Sequence, residues 1–137
     1  IAILVTTTEG RVFGVTFERP VKGLDCRVYD PAISAFVYRP EEESDERFQR
    51  FFVRDELREK AFVRFQSRST RGFLCVGVEK VGQLWIGTKS SSSVCDNLSA
   101  VFEDMEDDAL TGHAGTDDDQ VFHCKNIVVL QLIDEDC

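Results

Sequence analysis

The sequence predicts an all-β protein, and three observations carry the prediction. Its apolar residues are those of strands, with eleven Phe, many Val and Ile and a single Met. Short β-branched and aromatic runs recur about every ten residues between Gly, Pro, Asp and Ser turn signals. In LDCRVYDPAISAFVYRP, at 24–40, apolar side chains fall at every second position. About ten to twelve such strands indicate an antiparallel sandwich or barrel.

Turn residues divide the first half of the chain. IAILVTT and RVFGVTF flank Glu9-Gly10 and predict a hairpin or two successive strands. Strands at 24–30 and 33–39 follow, separated by Asp30-Pro31 and ended by Pro40. The mixed-charge stretch at 41–60 has a spacing near 3.6 that allows a turn or two of helix, although its Phe51-Phe52-Val53 fits a strand equally well.

The second half continues the pattern. KAFVRF contributes Phe62 and Phe65, and strands are expected at 72–78 and from Gly82 onward in GQLWIGTK. A Ser-rich loop at 90–93 precedes LSAVFEDM, which is expected to be another strand. An acidic loop at 106–120 follows, and QVFHCKNIVVLQLI ends the chain with strong strand character.

Charge is distributed unevenly along the 137 residues. The chain holds 25 acidic and 16 basic residues, and the segment 103–137 carries eleven of the acids against Lys125 alone. By its length the chain is expected to form a single all-β domain over 1–137, with its core at roughly 12–102 and an acidic C-terminal segment at 103–137. Such a segment repels nucleic acid and anionic lipid and is compatible with a solvated surface, a basic protein partner or a cation. Because no apolar run reaches about 18 residues, no direct membrane insertion is expected.

Five cysteines bear on the cellular compartment: Cys26, Cys75, Cys95, Cys124 and Cys137. None forms a C-x-x-C pair, so their long spacing suits disulfides better than a zinc site. Asn97-Leu98-Ser99 is a glycosylation acceptor sequence, with Asn97 as the acceptor. Together these features favour a secreted glycoprotein, while buried free thiols in a cytosolic protein remain the alternative.

Motifs for catalysis or cofactor binding are missing from the sequence. It has no G-x-S-x-G, no Gly-rich phosphate loop and no single distinguished Cys/His pair, so no enzymatic activity and no cofactor are expected. His113 and His123 lie near Asp117, Asp118 and Asp119, but their spacing matches no known metal-binding loop, and no metal site is expected. Trp85 is either a core residue or, if exposed, an anchor for a binding partner.

The opening run and GFLCVGVEKVG together resemble an immunoglobulin-like β-sandwich domain. Cys26, followed twelve residues later by Tyr38, resembles strands B and C of that family, and Cys75 stands where its strand F carries the second cysteine. The resemblance implies a Cys26–Cys75 disulfide between two sheets, with Leu24, Val28 and Phe36 also facing the core. The chain departs from the family in having Tyr38 in place of the core Trp and Phe73 in place of the corner Tyr.

A second resemblance covers an overlapping region. FFVRDEL, GFLCV, GQLWIGTK and LSAVFEDM are similar to a repeat of the β-trefoil growth factors and interleukin-1-like cytokines. That resemblance implies twelve strands in three units. The acidity of the chain departs from the heparin-binding branch of that family.

Both resemblances imply that the protein binds another protein. The first implies an extracellular or cell-surface recognition module, as in receptor or adhesion ectodomains, and the alternative is a secreted cytokine-like ligand of the β-trefoil type. The sequence does not indicate the partner, the binding face or the oligomeric state.

Overall fold

A computed structural model describes residues 1–21, 23–39, 48–66, 74–87, 93–106, 109–110 and 119–131. Within them the chain forms eleven strands and two short 3-10 helices, which confirms the all-β class. The strands are β1 (Ala2–Thr7), β2 (Val12–Thr16), β3 (Val28–Tyr29), β4 (Ser34–Tyr38), β5 (Phe48–Phe52), β6 (Phe62–Phe65), β7 (Leu74–Val78), β8 (Gly82–Ile86), β9 (Ser93–Asp96), β10 (Asp119–Phe122) and β11 (Cys124–Leu130). The 3-10 helices are Asp55–Lys60 and Leu98–Ala100.

The strands form two antiparallel sheets, as expected for a β-sandwich. One sheet has five strands in the order β11-β1-β2-β4-β5, and the other has six in the order β10-β9-β8-β7-β6-β3. The last strand pairs with the first, since Ala2 lies opposite Leu130. β10 and β11 are separated only by His123, so the chain passes there from one sheet to the other.

The core is built from the inward-facing residues of both sheets. Burial alternates along β1, where Ile3 and Val5 are buried and their neighbours are half-buried, as expected for a strand with one face in the core. Across the sandwich, Phe13 of β2 meets Phe122 of β10 edge-on, with ring centroids 5.3 Å apart. Ile3, Val5, Phe122 and Cys124 all belong to the buried cluster, so the core extends beyond the 12–102 range at both ends.

The hairpin expected at Glu9-Gly10 is present. β1 and β2 pair from Ala2 opposite Thr16 to Thr6 opposite Val12. Gly10 adopts a φ of 87°, which a residue without a Cβ reaches at little cost. Its N–H donates to the carbonyl of Thr7 at 3.0 Å and closes the turn.

A buried carboxylate organises the turn between β3 and β4. Asp30 is only 2% exposed, and its Oδ2 accepts the backbone N–H groups of Glu18 (2.7 Å) and Arg19 (2.8 Å), while its Oδ1 accepts that of Ala32 (2.8 Å). Burial disfavours the charged form, but these donors outweigh it and hold the pKa of Asp30 below its ordinary value. The residue thereby fixes the point at which the chain leaves one sheet for the other.

Because the chain changes sheets at this turn, the prediction that alternate residues of the run at 24–40 share one core face is wrong. The run was expected to present Leu24, Cys26, Phe36 and Tyr38 on one core face, but Leu24 is 62% exposed and Cys26 is also exposed. β3 belongs to the six-stranded sheet and β4 to the five-stranded sheet, so the alternation does not continue through Asp30. On β4 the core residues are Ala35 and Val37, which are two positions apart and so share the inner side of the strand.

Two other stretches differ from expectation. The segment at 48–60 contains both alternatives in succession, because β5 ends at Phe52 and a 3-10 helix begins at Asp55. LSAVFEDM is not a strand: it contains the short helix Leu98–Ala100 and one isolated bridge from Phe102 to Val53. Ser93, expected in a loop, begins β9, and most of the acidic stretch expected at 106–120 lies outside the described residues.

Candidate functional site

The outward side of the five-stranded sheet carries a wide, mostly apolar surface, which we call the outer face. Strand register aligns its side chains in three rows that cross the sheet. The rows are Leu130-Ala2-Thr16-Ser34-Phe52, Val128-Leu4-Gly14-Phe36-Arg50 and Asn126-Thr6-Val12-Tyr38-Phe48. Most positions are apolar or aromatic, although they face away from the core.

Several of these side chains are exposed to solvent. Phe48 is 63% exposed and Phe52 is 48% exposed, and Val128 and Leu130 on the edge strand are exposed as well. Single exposed apolar residues are common on protein surfaces, whereas a contiguous group of this kind is typical of an interaction surface.

Aromatic packing shapes the middle of the outer face. A Cβ at Gly14 would collide with the carbonyl of Ile3 and the ring of Phe36, so the missing side chain lets this ring lie against the sheet. Phe48 is a neighbour of both Phe36 and Tyr38, with ring centroids 6.1 Å and 4.9 Å away. The three rings form one aromatic cluster at the β4–β5 side of the face.

Arg50 is the charged residue at the centre of this surface. Its Nε donates to the buried hydroxyl of Ser34 at 2.8 Å, and its Nη2 donates to the hydroxyl of Thr16 at 3.4 Å. The hydroxyls of Thr16 and Ser34 also hydrogen-bond to each other at 2.5 Å. The guanidinium carbon lies 5.0 Å from the ring centroid of Phe52, within cation–π range. Three strand residues, Thr16, Ser34 and Phe52, thus hold the Arg50 guanidinium in a defined position.

A groove of about 460 Å³ opens beside Arg50. Its lining is largely apolar and includes Phe17, Ala32, Phe36 and Phe48; its polar members are Thr16, Glu18, Gln49 and Arg50. This volume lies in the range of small-ligand and peptide-side-chain pockets, which combine apolar walls with a few polar groups. The groove and the exposed aromatics make the outer face the candidate site.

The outward side of the six-stranded sheet has a different character. Arg27 forms an ion pair with Glu79 at 2.6 Å and lies over the ring of Phe62, 4.7 Å from its centroid. The hydrogen bond and charge of Arg27 lower the pKa of Glu79. Trp85, considered as a possible anchor, is half-buried on β8. Arg27 on this side is therefore already paired.

The structure does not form the predicted Cys26–Cys75 bond, since both residues are free thiols. Cys26 precedes β3, and β6 lies between β3 and β7, which carries Cys75. The two segments are therefore two strand spacings apart in one sheet, about 10 Å, whereas a disulfide joins Cα atoms within roughly 7 Å. The predicted disulfide between two sheets does not form, because β3, which follows Cys26, and β7 belong to the same sheet.

The buried thiols are poor nucleophiles in this environment. Burial raises the pKa of Cys75 to about 12, although Arg64 and Arg27 nearby oppose the shift, and its Sγ donates to Gln83 Oε1 at 3.2 Å. Burial also raises the pKa of Cys95 and of Cys124; Ser93, 3.3 Å from the Cys124 sulfur, lowers the latter slightly. Thiols with raised pKa values are largely protonated at neutral pH and react slowly. Cys137 lies outside the described residues.

Asn97, the expected glycosylation site, is exposed in a turn between β9 and the helix Leu98–Ala100. It adopts a left-handed φ of 51°, and its side-chain amide donates to the carbonyl of Val81 at 3.0 Å. A glycan on this nitrogen would replace one of its two hydrogens and leave one N–H that can still donate.

The histidines and carboxylates that were considered as metal ligands lie largely outside the described residues, which exclude His113, Asp117 and Asp118. Within the described ranges, no three His, Cys, Asp or Glu side chains converge as metal ligands would. Among the described residues, no helix is long and apolar enough to span a bilayer.

The central residues of the outer face were not among those predicted from the sequence. Arg50, Phe48 and Phe52 were considered only as part of a possible helix or a short strand. The signal was present in FQRFF, where Phe, Arg and Phe recur at every second position and so share one side of a strand. Ser34 and Thr16 could not be recognised, because their meeting depends on the pairing of β2 with β4.

Comparison with known proteins yields no match to a family model, to a curated protein or to a solved structure.

Proposed function

We propose that the protein is a recognition module that binds a protein partner through the outer face of its five-stranded sheet. The observation that carries the proposal is the joint exposure of Phe48 and Phe52 around Arg50. Aromatic residues and Arg dominate the binding energy of protein interfaces, particularly at their centres. The proposal applies equally to an immunoglobulin-like receptor module and to a trefoil-like ligand, because both act by binding a protein.

The arrangement of the face supports this function. Leu4, Val128 and Leu130 extend the apolar surface from the aromatic cluster to the edge strand β11. Because this apolar surface extends well beyond the groove, it suits a protein better than a small molecule, which would cover the groove alone. The hydroxyl-anchored guanidinium adds a polar contact that can set the orientation of the partner.

The test is site-specific photo-crosslinking from the two sides of the sandwich. A benzophenone side chain replaces Phe52 on the outer face or, as the control, Glu79 on the opposite side. We expect a partner crosslinked from position 52 and absent from position 79 in native extract. Comparable crosslinking from both positions would argue against a dedicated face.

Binding to the purified partner then gives the quantitative check. Phe52→Ser and Val128→Ser alter exposed side chains and leave the core intact, so we expect folding to be preserved while affinity falls about tenfold for each. Glu79→Gln should bind like the parent protein. Unchanged affinity in both outer-face variants would refute the proposal.

We further propose that the protein acts outside the cell or on its surface. The exposed position of Asn97 in a turn supports this location, since acceptor sequences are modified on accessible loops. Expression through a secretory host should yield a product whose mass falls on peptide-N-glycosidase digestion, and Asn97→Gln should abolish that change. Secreted material that carries no glycan would count against the assignment of this site.

A further inference from the structure

We propose that the groove beside Arg50 binds an extended peptide segment of the partner, in which a carboxylate pairs with Arg50 and a neighbouring apolar side chain packs against Phe36 and Phe48. This inference rests on the proposed function and adds the chemistry of the segment that is bound.

The Arg50 guanidinium is held in a fixed orientation and has N–H donors left to bind a carboxylate. It has five N–H donors in a planar fork, and its bonds to Ser34 and Thr16 use two of them. Those bonds and the contact with Phe52 restrict its orientation, which reduces the entropy lost when an anion binds. Within the described ranges, the ion pairs are Arg27–Glu79 and Arg58–Asp55, and neither includes Arg50.

The groove supplies the complementary apolar contact. Phe36 and Phe48 line it together with Phe17 and Ala32, immediately beside the cation. Glu18, the lining residue with a carboxylate, is exposed, so solvent and salt screen its repulsion of an acidic ligand. An acidic residue followed or preceded by an aliphatic one therefore matches the site in both charge and shape.

The main-chain groups of Phe48 and Arg50 on β5 favour a peptide as the occupant. The Phe52 carbonyl points away from β4, because it accepts the N–H of Glu103 at 2.8 Å. Main-chain groups alternate along a strand, so those of Phe48 and Arg50 point to the same edge. β5 ends the sheet order in the described part of the chain, where Glu103 already pairs with the edge at Phe52. An extended peptide can pair with the same edge at Phe48 and Arg50 while its side chains reach the face.

The test uses two synthetic peptides that differ in one group. Acetyl-Val-Leu-Asp-Leu-Val-amide and its Asn analogue are titrated into ¹⁵N-labelled protein, and amide chemical shifts are followed. We expect the Asp peptide to shift the amides of residues 48–52 and of Phe36. We expect the Asn analogue to bind about tenfold more weakly, since it loses the charge-assisted pair.

Variants then assign the effect to Arg50. Arg50→Gln should bind both peptides with the weaker affinity of the Asn analogue, and Phe48→Ala should weaken both. Arg58→Gln, which removes an exposed arginine of the helix Asp55–Lys60, is the matched control and should behave like the parent protein. A parent-like amide spectrum for each variant checks that its fold is intact.

Three results would overturn the inference: equal binding of the two peptides, parent-like binding by Arg50→Gln, or no shifts at the outer face at millimolar peptide. A failure here is separable from a failure of the proposed function. If crosslinks still arise from position 52 while these peptides do not bind, the face recognises a protein and only the inferred segment is wrong.

Discussion

Replacing Asp30 should be among the most destabilising single changes outside the apolar core. Its carboxylate accepts three backbone N–H groups, from Glu18, Arg19 and Ala32, at 2.7–2.8 Å. Asp30→Ala removes the carboxylate and leaves the three backbone N–H groups without an acceptor at a position that is only 2% exposed. Hydrogen bonds to charged groups contribute about 1.5–3 kcal/mol each. Their effects overlap because one group makes all three, so we expect a loss of roughly 3–5 kcal/mol, as when a buried charged network loses one partner.

Asp30→Asn should lose less, about 1.5–3 kcal/mol. Its amide oxygen can still accept from Glu18 and Arg19, but the amide nitrogen then faces the N–H of Ala32 and cannot accept it. Asp55→Asn provides the matched control, because this carboxylate is exposed and its ion pair with Arg58 lies at the surface. Such pairs contribute about 0–1 kcal/mol.

The same carboxylate gives a specific pH dependence. The pKa of Asp30 is lowered from its ordinary value of 3.8, so its contribution to stability is present above about pH 4 and is lost as the pH falls through the lower folded-state pKa. Urea unfolding at pH 6 and pH 3 should therefore show a larger decrease for the parent protein than for Asp30→Asn. Equal decreases, or an Asp30→Ala loss below about 1 kcal/mol, would refute this account of the turn.

Three further predictions concern the core, the outer face and the thiols. Phe13→Ala should reduce the free energy of unfolding by about 3–5 kcal/mol, because it removes a fully buried ring and its contact with Phe122; urea titration measures this loss. Gly14→Ala should cost roughly 1–3 kcal/mol in the same assay, since the added Cβ has no space. In the folded protein at pH 8, iodoacetamide should label Cys26 within minutes and Cys75 only after unfolding, as peptide mass mapping will show; fast labelling of Cys75 would contradict its burial and its pKa of about 12.

The sequence allowed the class of fold and most strand positions to be predicted because those depend on local signals. Alternation in IAILVTT and the Glu9-Gly10 turn identify β1, β2 and their hairpin, and nothing elsewhere in the chain is needed to recognise them. The Asp30-Pro31 turn was also located correctly. Its effect was not foreseen, because the alternation on its two sides belongs to different sheets.

The candidate site was harder to predict than the fold, since it is made by long-range pairing. Phe36 was expected in the core because it shares an alternating face with Cys26 and Val28 that resembles an immunoglobulin-like sheet, but register puts it on the outer face over Gly14. The Arg50 guanidinium is oriented by hydrogen bonds to Ser34, sixteen residues away, and to Thr16, thirty-four residues away. A single sequence shows which residues alternate, but not which side of a sheet they face.

The pairing of β1 with β11 has a consequence for how the chain acquires its structure. During synthesis β1 can find β2 at once, but its second neighbour emerges only after nearly all other strands. Until then the unpaired main-chain groups of β1 are available to other chains. Topologies dominated by such distant contacts fold in milliseconds to seconds. This edge of β1 is therefore protected only once β11 has been synthesised and has paired with it.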